Sequence, residues 1–252
     1  MIRVAAAADV HFGPDSAGTL RPDLEHLGER ADLFLIAGDL TRSGSAAEAR
    51  ILAAELHALP VPVLAVLGNH DYHLGEEAAV AAELEGAGIR VLEGTGAVIQ
   101  LDGARVGVAG VKGFGGGFAG ACATEFGEPL MKMFVNTTRQ SAGRLQSALE
   151  SLQADLKIAL LHYAPIPDTL RGERLEIHAF LGSYLLEEAA DQGGADLVLH
   201  GHAHGGVEKG ETSGGIPVRN VAQAVIRRAY ALYTLDPTRL RATSLGRPAP
   251  AS

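Results

Sequence analysis

Short apolar runs and longer stretches of helical spacing alternate along the first ninety residues of this chain. Residues 2–8 form a brief apolar run with one arginine, the pattern of a buried strand. Leu20, Leu24 and Leu27 fall at helical spacing and predict a helix over 21–30. The run DLFLIA at 32–37 predicts a second strand. A helix follows over 45–58: Ser45 can cap it, Glu48 stands three residues on as in a capping box, and Ile51, Leu52, Leu56 and Leu59 make its apolar stripe. Residues 61–67 read as a third strand with Pro62 near its start, and 76–85 as a helix ended by Gly86 and Gly88. Strands alternating with helices imply βαβ units and a parallel or mixed sheet covered on both faces.

Beyond residue 90 the rhythm changes. Residues 90–92, 97–101 and 105–109 are closely spaced strands, with Asp102-Gly103 as a hairpin turn. The run GFGGGFAG at 113–120 reads as a loop and 141–152 as a helix. Further strands are expected at 157–162, 196–200, 217–222 and 230–235, with a helix over 181–191 and a frayed tail at 247–252. No repeat or linker interrupts the pattern. The expectation is therefore an α/β chain with one domain spanning 1–252, a two-layered sheet core flanked by helices.

Composition narrows the function classes. The chain is 47% hydrophobic and 20% charged over 252 residues, ordinary for a globular protein. No apolar stretch reaches the roughly 18 residues of a membrane span. The first apolar run is too short for a signal peptide and is broken by Asp9 and His11, so a cytoplasmic location is expected. The single cysteine, Cys122, cannot form an internal disulfide and reads as a small residue in a Gly/Ala-rich loop rather than a nucleophile. The net charge of −9, with no basic cluster longer than Arg227-Arg228, argues against a nucleic-acid partner and agrees with a site built for cations.

Five polar blocks sit where apolar strands end: Asp9-Val10-His11, Gly38-Asp39, Gly68-Asn69-His70-Asp71, Leu161-His162 and Gly201-His202-Ala203-His204. Ligands of α/β sheets bind outside the carboxyl ends of strands. Asp9 and His11 are two apart, so on an extended strand end both point to one side. A carboxylate such as Asp39 has two oxygens and can bridge two cations. Asn69 offers an amide oxygen; His162, His202 and His204 offer imidazole nitrogens. Mixed N/O ligation without thiolate suits Mn, Fe, Zn, Co or Ni better than Ca or Mg alone. Singly, each block is a common turn or a structural histidine. Five in succession, each after a buried strand, are not explained that way.

The ordered set Asp-x-His, Gly-Asp, Gly-Asn-His-Asp, a lone His and Gly-His-x-His, from 9 to 204, resembles the calcineurin-like metallophosphoesterases. The resemblance implies a four-layered αββα sandwich of two mixed sheets, with a metal site at the C-terminal ends of the strands. It implies that Asp9, His11, Asp39 and His204 bind one metal, and that Asp39, Asn69, His162 and His202 bind a second. His70 would approach the phosphate or leaving oxygen, with Asp71 orienting its ring. The expected activity is hydrolysis of a small phosphodiester or phosphomonoester, the diester preferred, by a hydroxide bridging two divalent or trivalent transition-metal ions such as Mn, Fe or Zn. A nuclease of the same family and a non-catalytic scaffold are the rival readings.

Other residues are less decided by the sequence. His200 reads as a buried strand residue or a support for the metal ligands, His73 as a pocket or surface residue, and Tyr163 as a substrate contact or packing group. Gly113 to Gly117 with Phe114 and Phe118 read as a pocket wall or a spacer, and Lys112 beside them as a phosphate contact. Segment 121–140, with Phe126, Met131, Met133 and Phe134, is open between core, cap and homodimer face, and 163–180 reads as a substrate-side loop.

Overall fold

A computed structural model describes residues 1–101 and 103–237. Its strands are β1 (Ile2–Ala7), β2 (Leu33–Ala37), β3 (Val63–Val66), β4 (Arg90–Val91), β5 (Thr95–Leu101), β6 (Ala104–Val111), β7 (Gly117–Phe118), β8 (Ala121–Cys122), β9 (Leu156–Leu161), β10 (Leu197–His200), β11 (Lys209–Glu211), β12 (Pro217–Asn220) and β13 (Ala231–Leu235). They form a five-stranded sheet in the order β13-β1-β2-β3-β4 and a six-stranded sheet in the order β11-β12-β10-β9-β6-β5. In the first, β1 to β4 run parallel and β13 antiparallel. In the second, β12, β10, β9 and β6 are parallel, with β11 and β5 antiparallel at the edges. Both sheets are mixed, as expected.

The two sheets pack face to face. Val4, Ala6, Leu33, Leu35, Leu64 and Val66 of the first meet Val106, Val108, Ile158, Leu160, Leu197 and Leu199 of the second. The outer face of the first sheet, with Ala5, Phe34, Ile36 and Val63, is covered by helices Ala46–Leu56 and Glu77–Gly86 through Leu52, Leu56, Val80 and Leu84. That of the second, with Val111, Leu161, Val198 and Val218, is covered by helices Pro129–Ser151 and Tyr184–Gly193 through Leu145, Leu149 and Leu186. The layers are therefore α, β, β, α. Covering both faces explains why the central strands read as unbroken apolar runs rather than alternating ones.

Several local expectations need correction. The helix over 21–30 is two short turns, Arg21–Leu24 and Leu27–Arg30, parted at His26, whose backbone leaves the helical region. Its three leucines are buried all the same. Ser45 caps its helix by accepting from the Glu48 N–H, but Glu48 reaches Ser43 instead of closing the box on Ser45. The helix expected over 141–152 starts twelve residues earlier, at Pro129, and absorbs more than half of segment 121–140. The helix over 181–191 is interrupted between His178–Leu181 and Tyr184–Gly193, where Ser183 caps the second piece. The glycine-rich stretch contains a strand: β7 pairs with β8, which holds the exposed Cys122. Asp102 of the expected turn and the tail 247–252 lie outside the described residues.

Candidate metal centre

β1, β2 and β3 are neighbours in one sheet, β9 and β10 in the other, and all five end at the same edge of the sandwich. The polar blocks follow those ends. Pairing between β1 and β2 continues past the strands: Asp9 N–H donates to the Gly38 carbonyl at 2.9 Å, and His11 N–H to the Asp39 carbonyl at 3.0 Å. Asp9 and Asp39 are thereby locked side by side.

Asp9 and His11 converge, but not for the reason their spacing suggests. Neither is extended. Asp9 has φ +58° and His11 +44°; Asp39 (+50°) and His202 (+69°) are also left-handed. Four of the six non-glycine residues with positive φ among those described are thus candidate ligands. Such conformations cost about 1–3 kcal/mol each and persist where the surroundings over-determine them, which is typical of functional sites. The motif glycines have a matching explanation. A Cβ on Gly38 would stand 2.5 Å from Nδ1 of His162, and one on Gly68 or Gly201 would collide with the carboxylate of Asp39 or Asp9.

Three groups of potential donors result, each with its ligand atoms within 4.8 Å of one another: Asp9, His11 and His204; His11, Asp39 and His70; and Asp39, His162 and His202. His11 and Asp39 belong to two groups each, so the clusters are contiguous. Asn69 joins the last, its Oδ1 lying 2.8 Å from Nε2 of His162. Eight of the nine residues singled out from the sequence therefore meet in one region; the ninth is Asp71.

Asp71 needs a correction. It is buried, and its carboxylate does not touch the His70 ring. Oδ1 accepts from Thr41 N–H at 2.8 Å and Thr41 Oγ1 at 2.5 Å; Oδ2 accepts from Gly68 N–H at 2.7 Å and Leu40 N–H at 3.1 Å. Asp71 ties the β2 and β3 loops together. The His70 ring is instead oriented by its Nδ1–H, which donates to the Arg42 carbonyl at 2.8 Å, leaving Nε2 3.9 Å from Asp39.

The electrostatics fit a bound cation. His162 donates from Nδ1 to the Ala37 carbonyl at 3.0 Å, so its Nε2 lone pair faces the oxygens of Asn69 and of Asp39, the latter at 3.2 Å. A lone pair and two acceptor oxygens crowded together need a positive ion between them. Burial holds the His162 pKa well below its ordinary value and lowers His202 to about 3, so both imidazoles are neutral. Burial pushes Asp9 up to about 6, against the opposing contact with His204 Nε2 at 2.9 Å. Among the described residues neither Asp9 nor Asp39 pairs with a lysine or arginine. The donor set thus holds buried negative charge and neutral nitrogen ligands, the complement of a metal ion.

Residues around the centre brace it. His200 is fully buried, donates from Nδ1 to the Gly201 carbonyl and accepts at Nε2 from Thr169 Oγ1 at 2.9 Å. Asn220 donates to the Ala203 carbonyl at 2.8 Å and so holds the loop of His202 and His204. The Tyr163 ring lies 4.4 Å from that of His202, and the His73 ring 4.5 Å from that of His70. The glycine-rich stretch is pinned beside them: Gly116 N–H donates to the Ala179 carbonyl and Gly117 N–H to that of Gly182. Its glycines answer to this close backbone approach. Thr41, Arg42 and Asn220 carry no sequence signal of their role, since each acts through a fold-dependent contact.

No curated protein matches the sequence. Solved structures with this fold include the phosphopantetheinyl hydrolase of Mycobacterium tuberculosis, which is 15% identical, covers 93% of this chain and 96% of its own, and gives a TM-score of 0.66. TT1561 of Thermus thermophilus is 17% identical over 94% of this chain and 99% of its own, with a TM-score of 0.55. A putative 5'-nucleotidase from Staphylococcus aureus is 16% identical over 96% of this chain and 57% of its own, at 0.55. Residues 2–206 match the family described as calcineurin-like phosphoesterase, a span that takes in every block at the strand ends. The chain belongs to the calcineurin-like phosphoesterase family.

Proposed function

We propose that this protein hydrolyses a small phosphoester, a diester in preference to a monoester, with two transition-metal ions held by Asp9, His11, Asp39, Asn69, His162, His202 and His204. The observation that carries the reading is the contiguity of the three donor clusters, the first joined to the second by His11 and the second to the third by Asp39. Its two oxygens face different partners, Oδ1 towards His162 and Oδ2 towards His11 and His70. Asp9, His11 and His204 would hold one ion with Asp39, and Asn69, His162 and His202 the other. When bound, the metal pair supplies positive charge against the phosphoryl oxygens and acidifies water.

The chain's own groups do the rest. Buried Asp9 and Asp39 fix the spacing of the clusters, being joined by the backbone bonds of Asp9 and His11 to the Gly38–Asp39 turn. Neutral His162 and His202 present nitrogens rather than N–H groups: Nδ1 of His162 and Nε2 of His202 are spent on the carbonyls of Ala37 and Phe180, which leaves the other nitrogen of each free. His70 is partly exposed, with its Nδ1 proton held by the Arg42 carbonyl, so Nε2 is the nitrogen that faces the reaction. In the imidazolium form Nε2 carries the second proton and would give that proton to the leaving oxygen, returning to the neutral ring. Likeness to the phosphopantetheinyl hydrolase and the putative nucleotidase is compatible with either ester class.

The test is a panel of phosphodiesters and phosphomonoesters assayed with protein reconstituted separately with Mn, Fe, Zn and Ni, with metal content measured alongside. Two ions per chain and metal-dependent turnover, highest on small diesters, is the expected result. A folded, metal-replete protein with no turnover on any ester would overturn the reading in favour of a scaffold. Faster cleavage of DNA than of small diesters would make it a nuclease.

A further inference from the structure

One cation stands beside the candidate metal centre without a carboxylate of its own. Lys112 follows directly on β6, and its carbonyl accepts from the N–H groups of both His162 and Tyr163, at 3.1 and 3.0 Å. The residue is anchored to the β9 end that carries His162. Its ammonium is ringed by aromatic faces: Nζ lies 4.8 Å from the centre of the Tyr72 ring, 5.2 Å from Phe114 and 5.3 Å from Tyr163. Tyr72 belongs to the loop of Asn69 and His70, and the Tyr163 ring also packs against that of His202. The cage is therefore built from the loops that build the centre.

Three rings hold a cation but accept no conventional hydrogen bond, and an ammonium has three N–H groups to place. Among the described residues its one polar neighbour within reach is the Gly113 carbonyl, at 3.5 Å. The nearby carboxylate of Glu93 is already engaged: Oε2 accepts from the backbone N–H of Lys112 and Oε1 pairs with Arg144 at 2.9 Å. Lys112 is half-buried rather than turned out to water. The geometry leaves N–H groups of a fixed, partly desolvated cation unmet at the rim of a site for phosphoesters.

We propose that Lys112 is a substrate-binding residue, its ammonium donating to a phosphoryl oxygen of the ester seated at the centre. This rests on the phosphoesterase reading for its substrate and on the aromatic cage for its position. A cage that only filled space would not need a cation at its middle. Donation to a charged oxygen is short and charge-assisted, and a compact ammonium suits a single phosphoryl oxygen.

The chain has four lysines, so each side-chain ammonium can be followed separately by nitrogen NMR. Inorganic phosphate titrated into metal-loaded wild-type protein is expected to move the Lys112 signal and leave those of Lys132, Lys157 and Lys209 in place. Lys112→Met, of similar length and apolar, is expected to keep its metals and melting temperature, to bind phosphate about tenfold or more weakly by calorimetry, and to raise KM more than it lowers kcat. Lys112→Arg should recover part of the affinity. A still Lys112 signal under saturating phosphate, or unchanged phosphate affinity in folded, metal-loaded Lys112→Met, overturns the proposal. If wild-type protein binds phosphate at Lys112 yet cleaves no ester, the phosphoesterase reading falls and the anion site stands. If it cleaves esters while the signal stays still, the reverse holds.

Discussion

Replacing Asp71 by asparagine removes one oxygen from a point where four donors converge in the interior. Turned one way, the amide NH2 faces the N–H groups of Leu40 and Gly68 and orphans both. Turned the other way, it faces Thr41. The hydroxyl can rotate to accept from it, so only the Thr41 N–H is stranded. The second pose is the cheaper one. One orphaned buried donor costs about 1–3 kcal/mol, and exchanging charged for neutral acceptors about as much again, so the expected loss is about 2–6 kcal/mol. At about 2–4 °C per kcal/mol for a chain of this size, the melting temperature of the metal-free protein should fall by about 4–24 °C. Metal affinity should weaken as well, because the loops tied by Asp71 carry Asp39 and Asn69. Turnover per fully loaded enzyme, and its pH profile, should change little, since the His70 ring is held by Arg42. Thermal unfolding in chelator and turnover at saturating metal separate these effects. A variant with native melting temperature and abolished turnover would refute the reasoning and return Asp71 to proton handling.

Other outcomes follow from the same geometry. His70→Ala should retain both ions and lose about 10²–10⁴-fold in turnover, the range of positioned acid catalysis; unchanged turnover would remove His70 from the chemistry. Asp39→Asn should lose both ions by metal analysis, because Asp39 faces both clusters, and two ions still bound would contradict a bridging role. The metal-free protein should also lose stability as pH falls from 7 to 5. His162, His200 and His202 are buried neutral, His200 at about 4 and His202 at about 3, whereas they titrate near 6.5 once unfolded, so the unfolded chain holds more protons in that window. Asp9, pushed up to about 6, opposes this, since there the folded protein keeps a proton that the unfolded carboxyl has lost. His11, also lowered by burial, joins the three imidazoles, while Asp71, raised by burial, and His204, raised by its contact with Asp9, join the opposing side. Near pH 5 His204 is protonated in both states, so four imidazoles outweigh two carboxyls and the unfolded chain holds more protons. A urea midpoint in chelator that is equal or higher at pH 5 than at pH 7 would contradict this account.

The sequence by itself determined the layered architecture and which polar blocks follow its central strands. Apolar runs such as LFLIA must be buried on both faces, which requires a covered sheet, and the blocks after them must then gather at one edge. Helix ends were less legible, because the break at His26 and the start at Pro129 depend on what each segment packs against. Only the tertiary structure decided how the blocks converge. The spacing of Asp9 and His11 suggested an extended strand end, but backbone bonds to the neighbouring β2 loop hold both in left-handed conformations. Proximity along the chain suggested that Asp71 serves His70, whereas contacts across some thirty residues assign it to Thr41, Leu40 and the loop beneath. Lys112 acquired its meaning last, from rings belonging to three separate segments. The division has one physical cause. Burial and backbone preference act locally and leave a periodic trace, while a hydrogen-bond partner or an aromatic cage is chosen by whichever distant segment the fold brings near.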